Sequence, residues 1–103
     1  MELNELANKV NSFIRTQGGY WEPAWMLAAL TEELGELSRS LQIFHNIRKK
    51  STSHESSETF ISVEEECGDI LFALLCLTNS LDINLEKTLL NTLKKYKQRS
   101  SVL

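Results

Sequence analysis

The stretch PAWMLAALTEELGELSRSLQIF, residues 23–44, decides the fold class, because its apolar residues recur at helical intervals. A single seam steps by three or four positions and consists of Leu27, Leu30, Leu34, Leu37, Leu41 and Phe44. This spacing is typical of helices that pack lengthwise against one another. Pro23 suits the first turn of such a helix, since its missing N–H would have no partner there. The stretch therefore predicts a long packed helix that begins at Pro23.

Helical spacing also recurs on both sides of this stretch. We predict a first helix over residues 2–16 that the glycines of QGGY stop, a third that opens with a capping box at Ser62, and a fourth capped by Asn84. Residues 46–62 contain mostly Ser, Thr, Lys, Glu and His, and we expect a mobile loop there. The chain is thus predicted to be one all-α domain over residues 1–103, a bundle of four to five helices.

One segment predicts self-association. Residues 70–77, ILFALLCL, are apolar on every side of a helix, whereas a helix with a single neighbour keeps one polar face. With 103 residues and 42% hydrophobic content, the chain is large enough to close a core and small enough for partner chains to contribute. We therefore expect oligomerisation to complete the core.

The composition limits the possible partners. A net charge of -3, from 14 acidic and 11 basic residues, gives no field that would attract nucleic acid. No apolar run approaches the roughly 20 residues that cross a membrane, and the N-terminus lacks the pattern of an export signal. Cys67 and Cys76 lack metal-site spacing, and we interpret them as small buried core residues of a cytoplasmic protein. We expect neither a nucleic-acid nor a membrane partner.

Two carboxylates lie beside the apolar seam of the second helix. At about 100° per residue, Glu33 lies about 60° around the helix from Leu30, and Glu36 lies about 60° further on the same side. Two small residues, Ala29 and Ser40, share that edge. The carboxylates therefore flank the predicted core instead of pointing away from it.

The third helix repeats this arrangement. Relative to Ile70, Glu66 lies about 40° and Asp69 about 100° to one side, with Ala73 between them. If the second and third helices pack antiparallel, four carboxylates face one another, and their repulsion and desolvation require a cation. A lone ExxE is usually solvated surface, but two such pairs beside apolar seams favour a site.

The type of ligand indicates the type of cation. Carboxylate oxygens suit Mg²⁺ or Mn²⁺, which keep coordination positions for water and phosphates. A di-iron bundle would need Glu-x-x-His, and the residues three before His45 and His54 are Gln42 and Ser51, which counts against iron. A magnesium site of this kind is suited to cleaving phosphoanhydrides, because the metal bridges phosphate oxygens and acidifies a water.

The two acidic motifs resemble the mark of a known family, the MazG-like nucleotide pyrophosphohydrolases. That mark is EExxE followed after a variable spacer by ExxD, and here it reads EELGE at residues 32–36 and ECGD at residues 66–69. The likeness extends over most of the chain, from YWEPAWMLAALTEELGEL to EEECGDILFALLCLTNSLDINLE. It implies an all-α MazG-like bundle, and it is far more specific than a bare ExxE.

The resemblance also implies an activity. Members of the family hydrolyse a nucleoside triphosphate between its α and β phosphates and release a monophosphate and pyrophosphate, as housekeepers of the nucleotide pool. By this likeness the catalytic and metal-binding residues are Glu33, Glu36, Glu66 and Asp69, with Mg²⁺ as the cofactor and Mn²⁺ as a possible substitute. It further implies a homodimer or homotetramer.

Residues outside the acidic motifs are candidates for substrate contacts. Where many family members have a Lys and an Asn on the last helix, this chain has Thr92 and Tyr96, and we assign Lys95 and Tyr96 of the basic KKYKQR as replacements. Further candidates are the aromatic residue Trp25 and the loop residues Lys49 and Lys50.

Trp25 lies about 20° from Glu36 around the same helix, where its ring can stack on a base or serve as a core or interface anchor. For Trp21 we favour the anchor role. Lys49 and Lys50 of the predicted loop are candidates for closing over a triphosphate or for keeping the loop soluble.

A second hypothesis comes from another class of function. A noncatalytic helical oligomerisation module would explain the apolar seam and the basic last helix, with the acids in interhelical salt bridges. Salt bridges alone do not require carboxylates on the edge of the core, and that placement favours the enzyme.

Overall fold

The computed structural model describes the backbone of residues 1–50 and 53–102 and the side chains of residues 1–46 and 58–100. These residues form α1 (Leu3–Thr16), α2 (Pro23–Lys50), α3 (Ser53–Ser80) and α4 (Leu85–Val102), with no strand among them. The all-α prediction is confirmed. No helix in the described part of the chain is long and apolar enough to span a bilayer.

Local signals set three of the helix ends as predicted. α1 stops where the N–H of Gly19 donates to the carbonyl of Ile14 at 3.0 Å, and Gly18 takes the left-handed φ of 101° that this ending requires. α2 begins at Pro23. α4 is capped by Asn84, whose Oδ1 accepts from the N–H of Lys87 at 3.0 Å.

The predicted loop over residues 46–62 is wrong in its secondary structure. α2 continues to Lys50 and α3 already starts at Ser53, so the capping box at Ser62 lies inside a helix. The polar composition of the segment does not forbid a helix, because Ser, Lys and Glu are tolerated on exposed helical faces. Phe60 lies within this segment and packs against Phe44, with the ring centroids 5.7 Å apart.

The described chain divides into two compact units. The first contains Met1–Trp21 and Leu75–Leu103, and the second contains Glu22–Leu74. α3 contributes to both units, since its first 22 residues belong to the second and the rest to the first. The assignment of the whole chain to a single domain stays a prediction.

In the first unit, α1 packs against α4. The Asn4 amide donates to a Glu86 carboxylate oxygen at 3.0 Å. The Asn79 amide donates to the Ala7 carbonyl at 2.9 Å and to the Tyr20 hydroxyl at 3.1 Å. Such side-chain bonds between elements fix their register. The buried residues of this unit are Leu75, Cys76 and Thr78.

In the second unit, α2 and α3 run antiparallel. Ser40 of α2 contacts Glu66 of α3, and four residues further along α2, Phe44 contacts Phe60, which lies six residues earlier in α3. Forward movement along one helix therefore corresponds to backward movement along the other. The antiparallel pairing on which the acidic site depends is present.

The apolar seam of α2 is only half covered within the described chain. Leu30, Leu37 and Phe44, spaced seven residues apart, are half-buried. The alternate row stays exposed: 54% for Leu27, 49% for Leu34 and 46% for Leu41. A heptad seam presents both rows to neighbours, so one row of this helix has its neighbour and the other row is available for packing.

The two cysteines differ in their environments. Cys76 is buried, as predicted, and burial raises the pKa of its thiol. Cys67 is exposed, so its assignment to the core is wrong. Around α3, Cys67 lies about 60° from Ile70, on the side opposite Glu66. Glu66 contacts α2, so Cys67 lies on the side of α3 that is turned away from this contact.

Candidate active site

The four predicted carboxylates all belong to the second unit. Glu33 and Glu36 lie on α2, and Glu66 and Asp69 lie on α3. Glu33 and Glu66 are half-buried, whereas Glu36 and Asp69 are exposed. The antiparallel pairing of the two helices brings both pairs to one side of the hairpin, as the helical angles predict.

The surroundings of Glu33 raise the pKa of its carboxyl. The pKa of Glu33 is raised, first by partial burial of its carboxyl and then by the negative charges of Glu36 and Asp69. A side-chain hydrogen bond with Glu36 and the charge of Glu66 raise it further. All three other acids therefore oppose ionisation of Glu33, which is expected when like charges share a site.

Two carboxylate oxygens of the site are buried and lack a hydrogen-bond partner among the described residues, Oε2 of Glu33 and Oε2 of Glu66. A buried unpaired polar atom normally costs about 1–3 kcal/mol. The other oxygen of Glu66 accepts a hydrogen bond from the Ser40 hydroxyl at 2.7 Å. On each of the two helices, one carboxylate oxygen of the site thus has no partner among the residues that the structure describes.

Ser40 is a site residue whose contact the sequence reasoning missed. The sequence indicates only that Ser40 is a small residue on the acidic edge of α2. A signal was present, because Ser40 follows Glu36 by four residues and Glu33 by seven, which places its hydroxyl on the same face as both acids. The spacing does not predict that Glu66 of α3 is the partner of the Ser40 hydroxyl.

The donor set fits a hard divalent cation. Carboxylate oxygens are the ligands that Mg²⁺ and Mn²⁺ prefer, and the unpaired oxygens of Glu33 and Glu66 are available to one. Within the described residues, no three potential ligand side chains are close enough to form a ready-made metal cage.

The other predicted contact residues fall in different places. Trp25 is 69% exposed on α2, in the second unit. Lys95 and Tyr96 are exposed on α4, in the first unit, with the Lys95 ammonium 5.0 Å from the centroid of the Tyr96 ring. The side chains of Lys49 and Lys50 lie outside the described residues.

Trp21, predicted to be a core or interface anchor, is 68% exposed in the first unit. The core alternative is therefore wrong, and the interface alternative stays a prediction. A large aromatic side chain is usually buried against other residues, whereas the described residues leave most of the Trp21 ring exposed.

A comparison with protein families decides what kind of protein carries this site. Residues 22–102 match the MazG nucleotide pyrophosphohydrolase domain. The chain belongs to the MazG nucleotide pyrophosphohydrolase family. The match covers both acidic motifs and all of α2, α3 and α4. The family membership predicted from the motifs is confirmed.

This MazG chain is similar to a bacterial relative over nearly its whole length, in both sequence and structure. The uncharacterized protein YpjD of Bacillus subtilis (strain 168) is 38% identical over 98 residues, which are 94% of this chain and 85% of that protein. The crystal structure of YpjD from Bacillus subtilis has a TM-score of 0.75 and 39% identity, covering 93% of this chain and 95% of the other.

A second solved structure carries a functional description. The Bacillus-conserved MazG protein, a nucleotide pyrophosphohydrolase, has a TM-score of 0.76 and 32% identity, covering 93% of this chain and 90% of that one. The predicted MazG-like helical fold is therefore confirmed. This MazG chain is a nucleotide pyrophosphohydrolase, a hydrolase, and the noncatalytic oligomerisation module is the weaker of the two hypotheses.

Proposed function

We propose that this enzyme hydrolyses a nucleoside triphosphate, with ribose or deoxyribose, between its α and β phosphates to give a nucleoside monophosphate and pyrophosphate. The reaction requires Mg²⁺, for which Mn²⁺ can substitute. The catalytic and metal-binding residues are Glu33, Glu36, Glu66 and Asp69. The observation that carries the proposal is the pair of buried carboxylate oxygens, Oε2 of Glu33 and Oε2 of Glu66, that face no hydrogen-bond partner among the described residues.

Each carboxylate has a distinct part in this proposal. Glu33 and Glu66 hold their unpaired Oε2 atoms ready as ligands from facing helices. Glu36 and Asp69 are exposed, and they complete the ligand set from the solvent side. When bound, a divalent cation neutralises phosphate charge and makes a coordinated water more acidic. The positive charge of the cation would also offset the negative charges of the acids around Glu33, which together with partial burial raise the pKa of that carboxyl.

Contacts to the substrate come from other parts of the chain in this proposal. The exposed Trp25 ring is available to stack on the base, a contact worth roughly 1–3 kcal/mol where it occurs. Lys95 and Tyr96, together with Lys49 and Lys50, supply phosphate contacts. The Arg99 guanidinium lies 5.6 Å from the centroid of the Tyr96 ring. Two cationic side chains of α4, those of Lys95 and Arg99, therefore lie beside this ring.

We further propose that the enzyme works as a homodimer or homotetramer. The exposed leucine row of α2 and a second exposed apolar group on α4 support this, the latter consisting of Leu89, Leu90 and Leu93. Contiguous exposed apolar surface of this kind marks sites of association in most proteins. The two free thiols suit a reducing compartment, which supports a cytoplasmic role in keeping the nucleotide pool clean.

The test is pyrophosphate release from a panel of common and oxidised nucleoside triphosphates, with Mg²⁺, Mn²⁺ or EDTA. Glu36→Gln and Asp69→Asn should each lower turnover by about 100-fold or more with helicity retained, because each removes a ligand charge. Glu64→Gln is the matched control, since Glu64 lies about 160° around α3 from Glu66 and so on a different face from the site. Turnover in EDTA equal to that in Mg²⁺, or wild-type activity in both site variants, would disprove the proposal.

A further inference from the structure

The contact between Ser40 and Glu66 joins the two helices that carry the acids. The Ser40 hydroxyl on α2 donates to Oε1 of Glu66 on α3 at 2.7 Å, a short bond for two oxygen atoms. Ser40 is half-buried, and the bond is partly shielded from water. A hydroxyl has one hydrogen to donate, so the bond serves only one of the two carboxylate oxygens.

We infer that Ser40 is a positioning residue, which fixes the Glu66 carboxylate so that Oε2 is the oxygen presented to the divalent cation. This inference rests on the proposed function, since it assigns Glu66 to the metal site. The two oxygens of a free carboxylate are equivalent, and rotation of the group exchanges them. A bond from the facing helix to Oε1 removes that freedom and leaves Oε2 buried and unpaired.

The chemistry of the donor supports positioning over simple structural pairing. A Lys or Arg at this place would orient Glu66 and also neutralise it, and its charge would compete with a cation. A serine hydroxyl orients the group while leaving its whole negative charge for the cation. Groups that hold a metal ligand in this way typically change metal affinity by about 10–100-fold when they are removed.

The chain offers a clean set of variants. Ser40→Ala removes the hydroxyl and keeps a residue that helices favour. Ser40→Thr retains a hydroxyl at the same position. Ser38→Ala is the matched control, because Ser38 is an exposed serine on the same helix whose hydroxyl accepts from the Gln42 amide at 3.4 Å.

The experiment measures Mn²⁺ binding to the full chain without nucleotide, by the loss of the free Mn²⁺ signal in electron paramagnetic resonance. Ser40→Ala should raise the Kd for Mn²⁺ by about tenfold. Ser40→Thr should restore most of the affinity, and Ser38→Ala should match the wild type. The melting temperature of Ser40→Ala in EDTA should stay close to that of the wild type.

Three results would overturn the inference. An unchanged Kd in Ser40→Ala would refute the role of Ser40 and leave the metal site intact. A raised Kd that Ser40→Thr does not restore, together with a lowered melting temperature in EDTA, would reduce Ser40 to a packing residue. A wild-type chain that binds no Mn²⁺ would remove the proposed metal site as well, which separates the failure of the proposed function from the failure of this inference.

Discussion

Glu33 and Glu36 are one turn apart on α2, and the pKa of Glu33 is raised by partial burial and next by the charge of Glu36. The folded chain therefore holds a proton on Glu33 over a pH range in which the unfolded chain has already released it. In that range the free energy of unfolding falls as the pH rises, because the unfolded state binds fewer protons. Above the raised pKa the loss is complete and constant.

Replacement of Glu33 by Gln should remove this pH dependence. In EDTA at neutral pH, we expect Glu33→Gln to be more stable than the wild type, because the repulsion among the acids is relieved. The added stability should disappear as the pH falls below the ordinary glutamate range, where the wild type is also protonated. Urea denaturation followed by circular dichroism, repeated across this pH range, measures the difference.

Glu32→Gln provides the control for this experiment, since Glu32 is an exposed neighbour of Glu33 whose charge is not among those that raise the pKa of Glu33. It should follow the wild-type pH profile. A Glu33→Gln variant that is less stable than the wild type in EDTA at neutral pH would show that the four acids do not repel one another in the folded chain.

A side chain at Gly18, where α1 ends, should lower the stability of the chain. Gly18 has a φ of 101°, and among the described residues beyond its two chain neighbours no atom lies within 4 Å of the place its Cβ would take. The cost of substitution therefore comes from the backbone conformation. We expect Gly18→Ala to lower the free energy of unfolding by about 1–2 kcal/mol. Urea denaturation at fixed protein concentration measures the change.

A helical glycine supplies the contrast. Gly35 lies inside α2 with the same open surroundings, and Gly35→Ala should stabilise the chain by about 0.5–1 kcal/mol, since alanine favours the helix. Equal effects of the two substitutions would argue against the left-handed conformation at Gly18.

The cap of α4 depends on one side chain. Asn84→Ala removes the acceptor for the N–H of Lys87 and should cost about 1 kcal/mol of stability. Asn84→Asp and Asn84→Ser keep an acceptor at this position and should retain most of the wild-type stability. A thermal melt of the four proteins tests the order, and an alanine variant as stable as the aspartate variant would contradict it.

The ring contact between Phe44 and Phe60 should stabilise the extended part of the α2–α3 hairpin. The planes are inclined by 48°, and pairs of this kind contribute about 0.5–1.5 kcal/mol. We expect Phe60→Ala to lose at least this amount and Phe60→Leu to lose less, because leucine keeps apolar area without the ring. If urea denaturation finds Phe60→Ala as stable as the wild type, the contact does not hold the hairpin together.

Charge on the apolar group of α4 should disrupt the proposed oligomer. Leu93 is 47% exposed, and Leu93→Glu should shift the mass measured by light scattering from a multiple of 11.8 kDa toward 11.8 kDa. Lys94→Glu is the control, since the same charge enters at the next position, which is already polar. A wild-type chain that is monomeric at micromolar concentration would contradict the proposal.

Sequence reasoning succeeded where the signal acts within one turn of the chain. Three helix ends depend only on neighbouring residues: the start of α2 at Pro23, the end of α1 at its glycines and the start of α4 after Asn84. Each of these residues either lacks a backbone N–H or helps to satisfy the free backbone groups of a helix end, so each end can be predicted from the local sequence. It failed between residues 46 and 62, because a polar segment becomes helical only when residues such as Phe60 find an apolar partner on another helix.

The acidic site divides in the same way. The sequence by itself determined which faces of α2 and α3 carry carboxylates, because the angle between residues on a helix is fixed. Only the tertiary structure decided which oxygens of those carboxylates are left unpaired. The contact between Ser40 and Glu66 depends on the register of α2 against α3. Contacts between residues distant in sequence, such as Phe44 and Phe60, set that register.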